Sequence, residues 1–456
     1  GAGYSGMLTK NVIQNDRGVN YQVLGFIDDN ASKIDKTIEG IRVFSLSEAM
    51  EKFVDHYEGL QVIMAINNIG LQAKRKISDV FLDRGVVVKI LPPVDKWVNG
   101  EFALNQIHNV KIEDLLGREE IQMNNKQISQ EINSKSVLVT GAAGSIGSEI
   151  VRQLIAYFPA KIILVDQSES GLFDLEYELS SLMPSNTELV VKIADVTDRN
   201  RLSAIFKAHK PAFVFHAAAY KHVPLMEKNP YEAVKVNILG TQILADLSAE
   251  HGVEKFVMVS TDKAVNPTNV MGATKRFAEM YTQSLNVSEG VGTKFIATRF
   301  GNVLGSSGSV IPLFKKQIER GGPVTVTHPD ITRYFMTIPE AAQLVVQAGA
   351  MGKGGDVFVL DMGDPVKIID LAVSMVKLSG LTPYLIDRTD QISHEKGDIP
   401  ISITGLRKGE KLYEELLIGN NPASTVHSRI MTASEISLAM PDLMPTLDRL
   451  YQACEK

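Results

Sequence analysis

Three glycines, Gly141, Gly144 and Gly147, stand in TGAAGSIG directly after an apolar run, and Asp166 closes the next one. A glycine turn between strand and helix lets backbone N–H groups approach a pyrophosphate, so Gly141, Gly144, Ser145, Ile146 and Gly147 form the expected cradle. Asp166, about 20 residues further on, is placed to accept hydrogen bonds from both hydroxyls of an adenosine ribose. A 2′-phosphate would meet its negative charge there, so the expected cofactor is NAD and not NADP. Asp195 and Val196, after a third apolar run, are placed to flank the adenine. A second set follows a later run: Ser260, Thr261, Asp262 and Lys263, then Met271 and Lys275, four apart and on one helix face. A carboxyl and an amine at a strand end can be a surface ion pair or an acid and a base. The nearby cofactor elements make this strand end the expected catalytic edge.

The elements that must position these residues are legible from periodicity. The runs 136–140, 161–166, 189–194, 212–219, 255–260 and 294–300 are apolar without period-two alternation, as expected for strands buried on both faces. Helical patterns between them, such as 147–158 and 231–250, imply right-handed crossovers and a parallel sheet. The predicted fold is α/β: a Rossmann-type doubly wound parallel sheet over residues 135–456, with a substrate-covering lobe from about residue 306. A smaller Rossmann-like α/β module precedes it over residues 1–94, with helices from Met7 and Ser45 and strands near 23–28, 62–66 and 86–91. Residues 95–134 form the expected linker, its pattern loosened around Pro92, Pro93, Gly100 and 124–130.

Composition narrows the class. Of 456 residues, 44% are hydrophobic and 22% charged, enough for more than one core. A formal charge of -6 with scattered basic residues leaves no footprint for nucleic acid. The single cysteine, Cys454, fits a reducing compartment, so a cytoplasmic location is expected, and no metal-ligand cluster is evident. No stretch approaches the roughly 18 apolar residues that span a bilayer. Gly1, Gly3 and Gly6 form a GxGxxG turn that ordinarily follows a strand, so at least one strand is expected ahead of Gly1, and any membrane anchor would lie there. Asp28 and Asp29 follow the module's next strand. A bound nucleotide and a ligand-free assembly module both remain open there.

The span from about Ser134 to Leu417 resembles the extended short-chain dehydrogenases, and STDKAVNPTNVMGATK resembles the signature of the membrane-anchored bacterial UDP-N-acetylglucosamine 4,6-dehydratases. Those enzymes serve bacillosamine, O-antigen and capsule synthesis, and they carry the GFIDD module as well, so the resemblance covers nearly the whole chain. It implies membrane helices ahead of Gly1 and pairing into a homo-oligomer. The superfamily's YxxxK pair uses a tyrosine made acidic by the lysine. Here Met271 holds the tyrosine position, as in the C5-retaining dehydratases, and a thioether cannot be a base. The implied reaction is an internal redox cycle: hydride leaves C4 of the sugar for NAD, the ketone acidifies C5, and hydride returns to C6. Lys263, held neutral by burial and by nearby Lys275, is the expected C5 base, and Asp262 the acid for the C6 hydroxyl. Thr261 is expected to relay the C4 hydroxyl proton and Lys275 to orient the nicotinamide ribose.

The resemblance also places substrate contacts. Ala217 and Ala218, expected to bind the cofactor, end the strand that opens HAAAYKHVPLMEKNP, a segment that in the family runs beside nicotinamide and sugar, and Lys221 and His222 in it could reach the sugar. Asn237 resembles the family asparagine that steadies the active-site backbone. Arg299, Asn302 and Ser309 lie in RFGNVLGSSGSVIP, which resembles the loop gripping nucleotide diphosphate and sugar. Arg333 in ITRYF and Arg407 in GLRKGEKLYEEL are the expected diphosphate cations. A UDP-sugar 4-epimerase and a C5-inverting dehydratase are the enzymatic alternatives, and a silent UDP-sugar or NAD binding module is the alternative from another class. Asp262 and Lys263 argue against the epimerase, which needs no acid and base at C5 and C6.

Overall fold

Apolar runs such as Val137, Leu138 and Val139 have nowhere to face but a helix layer on either side, and all three are 0% exposed. They form part of a nine-stranded sheet in a computed structural model that describes residues 1–15, 21–66, 69–92, 97, 102–116, 121, 123–386, 396–416, 423–433 and 437–454. The expected positions Pro93, Val94, Gly100 and Leu417 lie outside the described residues.

The sheet belongs to the unit made of Glu119–Leu313, Val326–Ile369 and Thr404–Lys456. Its parallel strands run in the order Asp356–Leu360, Lys294–Arg299, Lys255–Val259, Phe213–His216, Ser136–Thr140, Lys161–Asp166, Glu188–Ile193. Ile430–Ala433 joins antiparallel beside Asp356–Leu360. The order reverses between Ser136–Thr140 and Phe213–His216, which pair in parallel, and a doubly wound sheet opens its ligand crevice at such a switch point. Apolar residues from both faces fill two cores. The expected helix over 231–250 is interrupted: Val234–Leu239 is a π-helical stretch between Pro230–Ala233 and Gly240–Glu250.

The linker expectation is corrected at both ends. Asn125–Ile132 is a helix capped by Asn124, whose Oδ1 accepts the Gln127 N–H at 3.2 Å, and Ile128 and Ile132 sit in the sheet core. Within the other unit, His108–Asn109 pairs with Val87–Ile90. Polar residues on the outward face hid the i, i+4 apolar pair of the helix.

That other unit groups Gly1–Arg118 with Phe314–Thr325 and Asp370–Ile403, so the lobe expected from residue 306 does not stay whole with the catalytic sheet. The reason is packing: Leu378 joins the cluster of Met64, Phe81 and Val88. Helix Tyr4–Asn15 follows the first glycine turn. Phe26–Ile27 pairs in parallel with Ile41–Phe44, and Gln61–Met64 with Val87–Ile90. Phe26, Val62, Met64 and Ile13 contribute to the lining of a cavity of about 1630 Å³.

Three elements of the unit that holds the nine-stranded sheet meet at one carboxylate. Glu279, 0% exposed on helix Val270–Asn286, accepts from Arg299 Nε at 2.8 Å and Nη2 at 2.6 Å, and from Ser260 Oγ at 2.6 Å. Removing one partner of such a pair strands a buried charge, so Glu279→Ala should destabilise by about 3–5 kcal/mol. Urea unfolding followed by circular dichroism checks this; a loss under about 1 kcal/mol would take the pair out of the framework.

Candidate active site

The cofactor turn starts where Thr140 ends its strand. Gly141 has φ +65°, and a Cβ there would lie 2.6 Å from the Ala218 nitrogen, so only glycine lets Ala217 and Ala218 pass this closely. A Cβ on Gly147 would lie 2.0 Å from the Gly141 carbonyl oxygen. Gly144 caps helix Ser145–Ile155 without a side chain, leaving its first N–H groups open to an anion. Asp166 is anchored by the N–H groups of Ala143 at 3.0 Å and Ser168 at 2.9 Å. Asp195 is exposed, but its Oδ1 takes the N–H and hydroxyl of Thr197, both at 2.8 Å. Val196 is buried, and a Cβ on Gly240 would lie 2.8 Å from its Cγ2.

Lys275 is 4% exposed and its ammonium has no hydrogen-bond partner among the described residues. Burial pulls its pKa down to about 8, against the opposing charge of Glu279. His216 bridges Thr140 and Thr241 at 2.8 and 2.9 Å, and burial, then Lys275, hold it neutral with a pKa of about 3. A backbone cradle, an anchored carboxylate and an unpaired buried ammonium fit the expected dinucleotide.

The turn expected to carry the acid and the base leaves strand Lys255–Val259 as a 3₁₀ turn, Asp262–Ala264. Ser260 N–H donates to the Thr298 carbonyl at 2.7 Å and Asp262 N–H to that of Phe300 at 3.1 Å, so the turn is fixed alongside the next strand. Thr261 Oγ1 and Lys263 Nζ both donate to Asp262 Oδ1, at 2.9 Å each. Asp262 Oδ2 is buried with no hydrogen-bond partner, an acceptor left over for a ligand. Lys263 Nζ also donates to Asn302 Oδ1 at 3.3 Å and lies 3.7 Å from Glu414 Oε1.

Lys263 departs from expectation. Burial alone would lower its pKa, but the charges of Asp262 and Glu414 outweigh burial and the repulsion of Arg333, so the net shift is upward and the resting group is an ammonium. Met271, 3% exposed, packs with Met226 and Ala233, so the tyrosine position carries packing and no titratable group.

Several expected substrate contacts have other duties. Arg299 is 0% exposed and bidentate to Glu279, so it builds the framework and does not present to phosphate. Asn237 is buried: its Oδ1 accepts Tyr220 N–H at 2.8 Å, and its Nδ2 donates to the Tyr220 carbonyl and Thr274 Oγ1. These bonds tie the segment carrying Lys221 to helix Val270–Asn286. Arg333 is 7% exposed and donates to the carbonyls of Thr332, Lys411 and Leu412 at 2.7, 2.9 and 3.3 Å. Asn302 faces Lys263. Ser309 Oγ is buried without a partner, and Arg407 is exposed with no side-chain hydrogen bond among the described residues, so both stay open to a ligand. Lys221 and His222 are exposed and border a cavity of about 300 Å³ with Tyr220 and Met226.

The loop 305–308 crosses the cofactor turn: Ser307 N–H donates to Ser145 Oγ at 3.1 Å. Gly308 has φ +70°, and a Cβ there would lie 2.6 Å from His222 Cε1. Three residues escaped sequence reasoning. Glu414 sits inside GEKLYEEL, and Glu279 lies four beyond Lys275, a spacing that signals a shared face. Gly272 left no signal, yet a Cβ there would lie 2.1 Å from the Lys263 carbonyl oxygen.

Residues 137–435 match the family described as polysaccharide biosynthesis protein. The chain is 47% identical over 421 residues to the capsular polysaccharide biosynthesis protein CapD of Staphylococcus aureus, covering 92% of this chain and 68% of the relative. It is 35% identical over 313 residues to a UDP-N-acetylglucosamine 4,6-dehydratase (inverting) of Campylobacter jejuni, covering 68% of this chain and 85% of that protein. The solved structure of Pen from Bacillus thuringiensis superposes with a TM-score of 0.55 at 35% identity, covering 63% of this chain and 85% of that one. With a doubly wound sheet, a glycine cradle and an Asp-Lys turn at its switch-point edge, the chain belongs to the polysaccharide biosynthesis protein family.

Proposed function

We propose that this chain is a sugar-nucleotide 4,6-dehydratase that uses NAD on UDP-N-acetylglucosamine and retains the configuration at C5, a hydro-lyase of surface-glycan synthesis. The observation that carries the reading is the hydrogen-bonded row Thr261, Asp262 and Lys263 at the catalytic edge of the sheet, with Asp262 Oδ2 unpartnered. The dehydratase name borne by a 35%-identical relative supports the reaction class. Met271 at the tyrosine position supports retention, through the family resemblance.

The chemistry that NAD would supply when bound is reversible hydride acceptance at C4 and donation at C6, with no net change in the cofactor. Gly141 to Gly147 would hold its pyrophosphate, Asp166 its ribose hydroxyls, and Lys275 the nicotinamide ribose. Thr261 Oγ1 receives the C4 hydroxyl proton as it passes its own to Asp262 Oδ1, 2.9 Å away. Asp262 then protonates the C6 hydroxyl, which departs as water. Lys263, once deprotonated, removes the C5 proton and later returns it to the same carbon. Proton count balances without an outside acid: the C4 hydroxyl supplies what the leaving water takes. Ser309 and Arg407 remain for the diphosphate.

Proton NMR of the purified chain with UDP-N-acetylglucosamine in deuterated water, without added cofactor, tests the reaction. A new C6 methyl signal with retained C5 is expected; inverted C5, or a C4 epimer alone, would replace the reading. Lys263→Ala should lower kcat by about 10²–10⁴-fold while UDP-sugar binding persists, and an active variant removes Lys263 from the mechanism. Lys275 gives a pH signature. Its folded pKa of about 8 lies below the ordinary lysine value, so in NAD-stripped protein the ammonium is lost as pH rises through that value. Calorimetric NAD affinity should therefore fall across that range in the wild type and be lower and flatter in Lys275→Met; parallel profiles would dismiss Lys275 as a cofactor contact.

A further inference from the structure

Lys263 lies between two carboxylates, and only Asp262 has a part in the reaction so far. Glu414, the other, is 8% exposed, with Oε1 3.7 Å from Lys263 Nζ and 3.6 Å from Arg333 Nε. Burying a carboxyl is unfavourable unless charges face it, and a segment that merely covered substrate would have no need of one there.

The segment carrying Glu414 is fastened to the acid/base turn. Besides the three carbonyls held by Arg333, Thr332 N–H donates to the Leu412 carbonyl at 3.2 Å and Lys411 Nζ to that of Val265 at 3.1 Å. Asn269 Nδ2 donates to the Gly409 carbonyl at 3.0 Å. Gly409 has φ +78°, and a Cβ there would lie 2.7 Å from Asn269 Cβ, so the close approach needs glycine. The charged groups facing Lys263 are Asp262 from its own turn, Arg333 from the Thr332–Arg333 strand and Glu414; Lys411 in turn faces Glu414.

We propose that Glu414 is the proton partner of Lys263: it takes the proton the ammonium must shed before the amine can remove the C5 proton, and returns it when the cycle closes. This rests on the dehydratase reading above. The step balances. An N–H bond of Lys263 breaks as an O–H bond forms on Glu414, the freed amine lone pair takes the C5 proton, that proton goes back to C5 after hydride reaches C6, and Glu414 restores the ammonium. No charge enters or leaves the closed site. The 3.7 Å separation is an ion-pair distance, and catalytic hydrogen bonds are commonly long before substrate binds. Burial and the Asp262 charge push the Glu414 carboxyl upward against Lys263 and Arg333, the direction a proton acceptor for an amine requires. Glu414 acts through Lys263 and is a positioning residue.

Trace labelling of the NAD-loaded chain with acetic anhydride over a pH series, read at the Lys263 peptide by mass spectrometry, gives the protonation midpoint of that amine. In Glu414→Gln the ammonium loses one of two opposing carboxylates, so the midpoint should fall by about one pH unit or more. With UDP-N-acetylglucosamine, kcat should fall about 10²-fold while KM stays within about twofold. An unmoved midpoint overturns the proposal whatever happens to turnover, and so does a lowered midpoint with unchanged kcat. If Glu414→Gln does not fold, Glu414→Asp keeps the charge but withdraws it by one methylene, and the same two readouts should move less in the same directions. A wild type without dehydratase turnover would sink the reading this rests on, and the labelling midpoint would still decide whether Glu414 governs Lys263.

Discussion

The Glu279 carboxylate is the fixed point of the catalytic unit. It is fully buried, and it draws Arg299 from one strand and Ser260 from the end of the neighbouring strand onto the helix that carries Lys275. Arg276 Nη1, 3.2 Å away, adds a further charge-assisted bond. A carboxylate out of water is costly unless donors face it, and the four donors around Glu279 fix its geometry. Lys275 precedes Glu279 by one helical turn, so its ammonium is set relative to the acid/base turn by the same bonds. Lys275 and the Asp262–Ala264 turn thus inherit their separation from a buried charge pair.

The same economy governs the cations. Two arginines that matched a diphosphate by type are consumed by protein: Arg299 by Glu279, and Arg333 by the carbonyls of residues 332, 411 and 412. Among the described residues, groups that stay open to an anion include the bare N–H groups of helix Ser145–Ile155, the buried Lys275, Ser309 and the exposed Arg407. A chain with a net charge of -6 can hold an anionic cofactor this way, since helix N–H groups and one desolvated ammonium act at short range.

The two glycine turns show how one backbone solution can be used differently. In the first unit a Cβ on Gly6 would lie 2.0 Å from the Gly1 carbonyl oxygen, the same approach as Gly147 to Gly141. Asp28 accepts from Ala2 N–H at 2.7 Å and Asn30 N–H at 3.0 Å, as Asp166 does from Ala143 and Ser168. The difference is charge. Lys33 Nζ lies 3.2 Å from Asp28, whereas Asp166 has no cation beside it among the described residues. One carboxylate is partly neutralised and the other stays free for hydroxyl groups.

Sequence alone determined the sheet, its winding and the cofactor turn, because these depend on local signals: apolar runs buried on both faces, glycines where backbone must touch backbone, and an acid at a strand end. It determined the Thr261, Asp262 and Lys263 turn for the same reason. Tertiary structure decided what charge each group carries and whom it serves. Lys263 was expected neutral and is held as an ammonium, because the charge of the adjacent Asp262, joined by that of Glu414 from 151 positions further along the chain, outweighs burial. Arg299 and Arg333 have the right chemistry for phosphate, yet burial beside Glu279 and along the 410–414 segment assigns them to the framework. The 124–132 helix read as linker because its outward face is polar, and only the sheet it covers shows that Ile128 and Ile132 are core. Backbone geometry follows from neighbours in sequence, but a side chain's protonation and partners follow from neighbours in space, and those come together only when the fold closes.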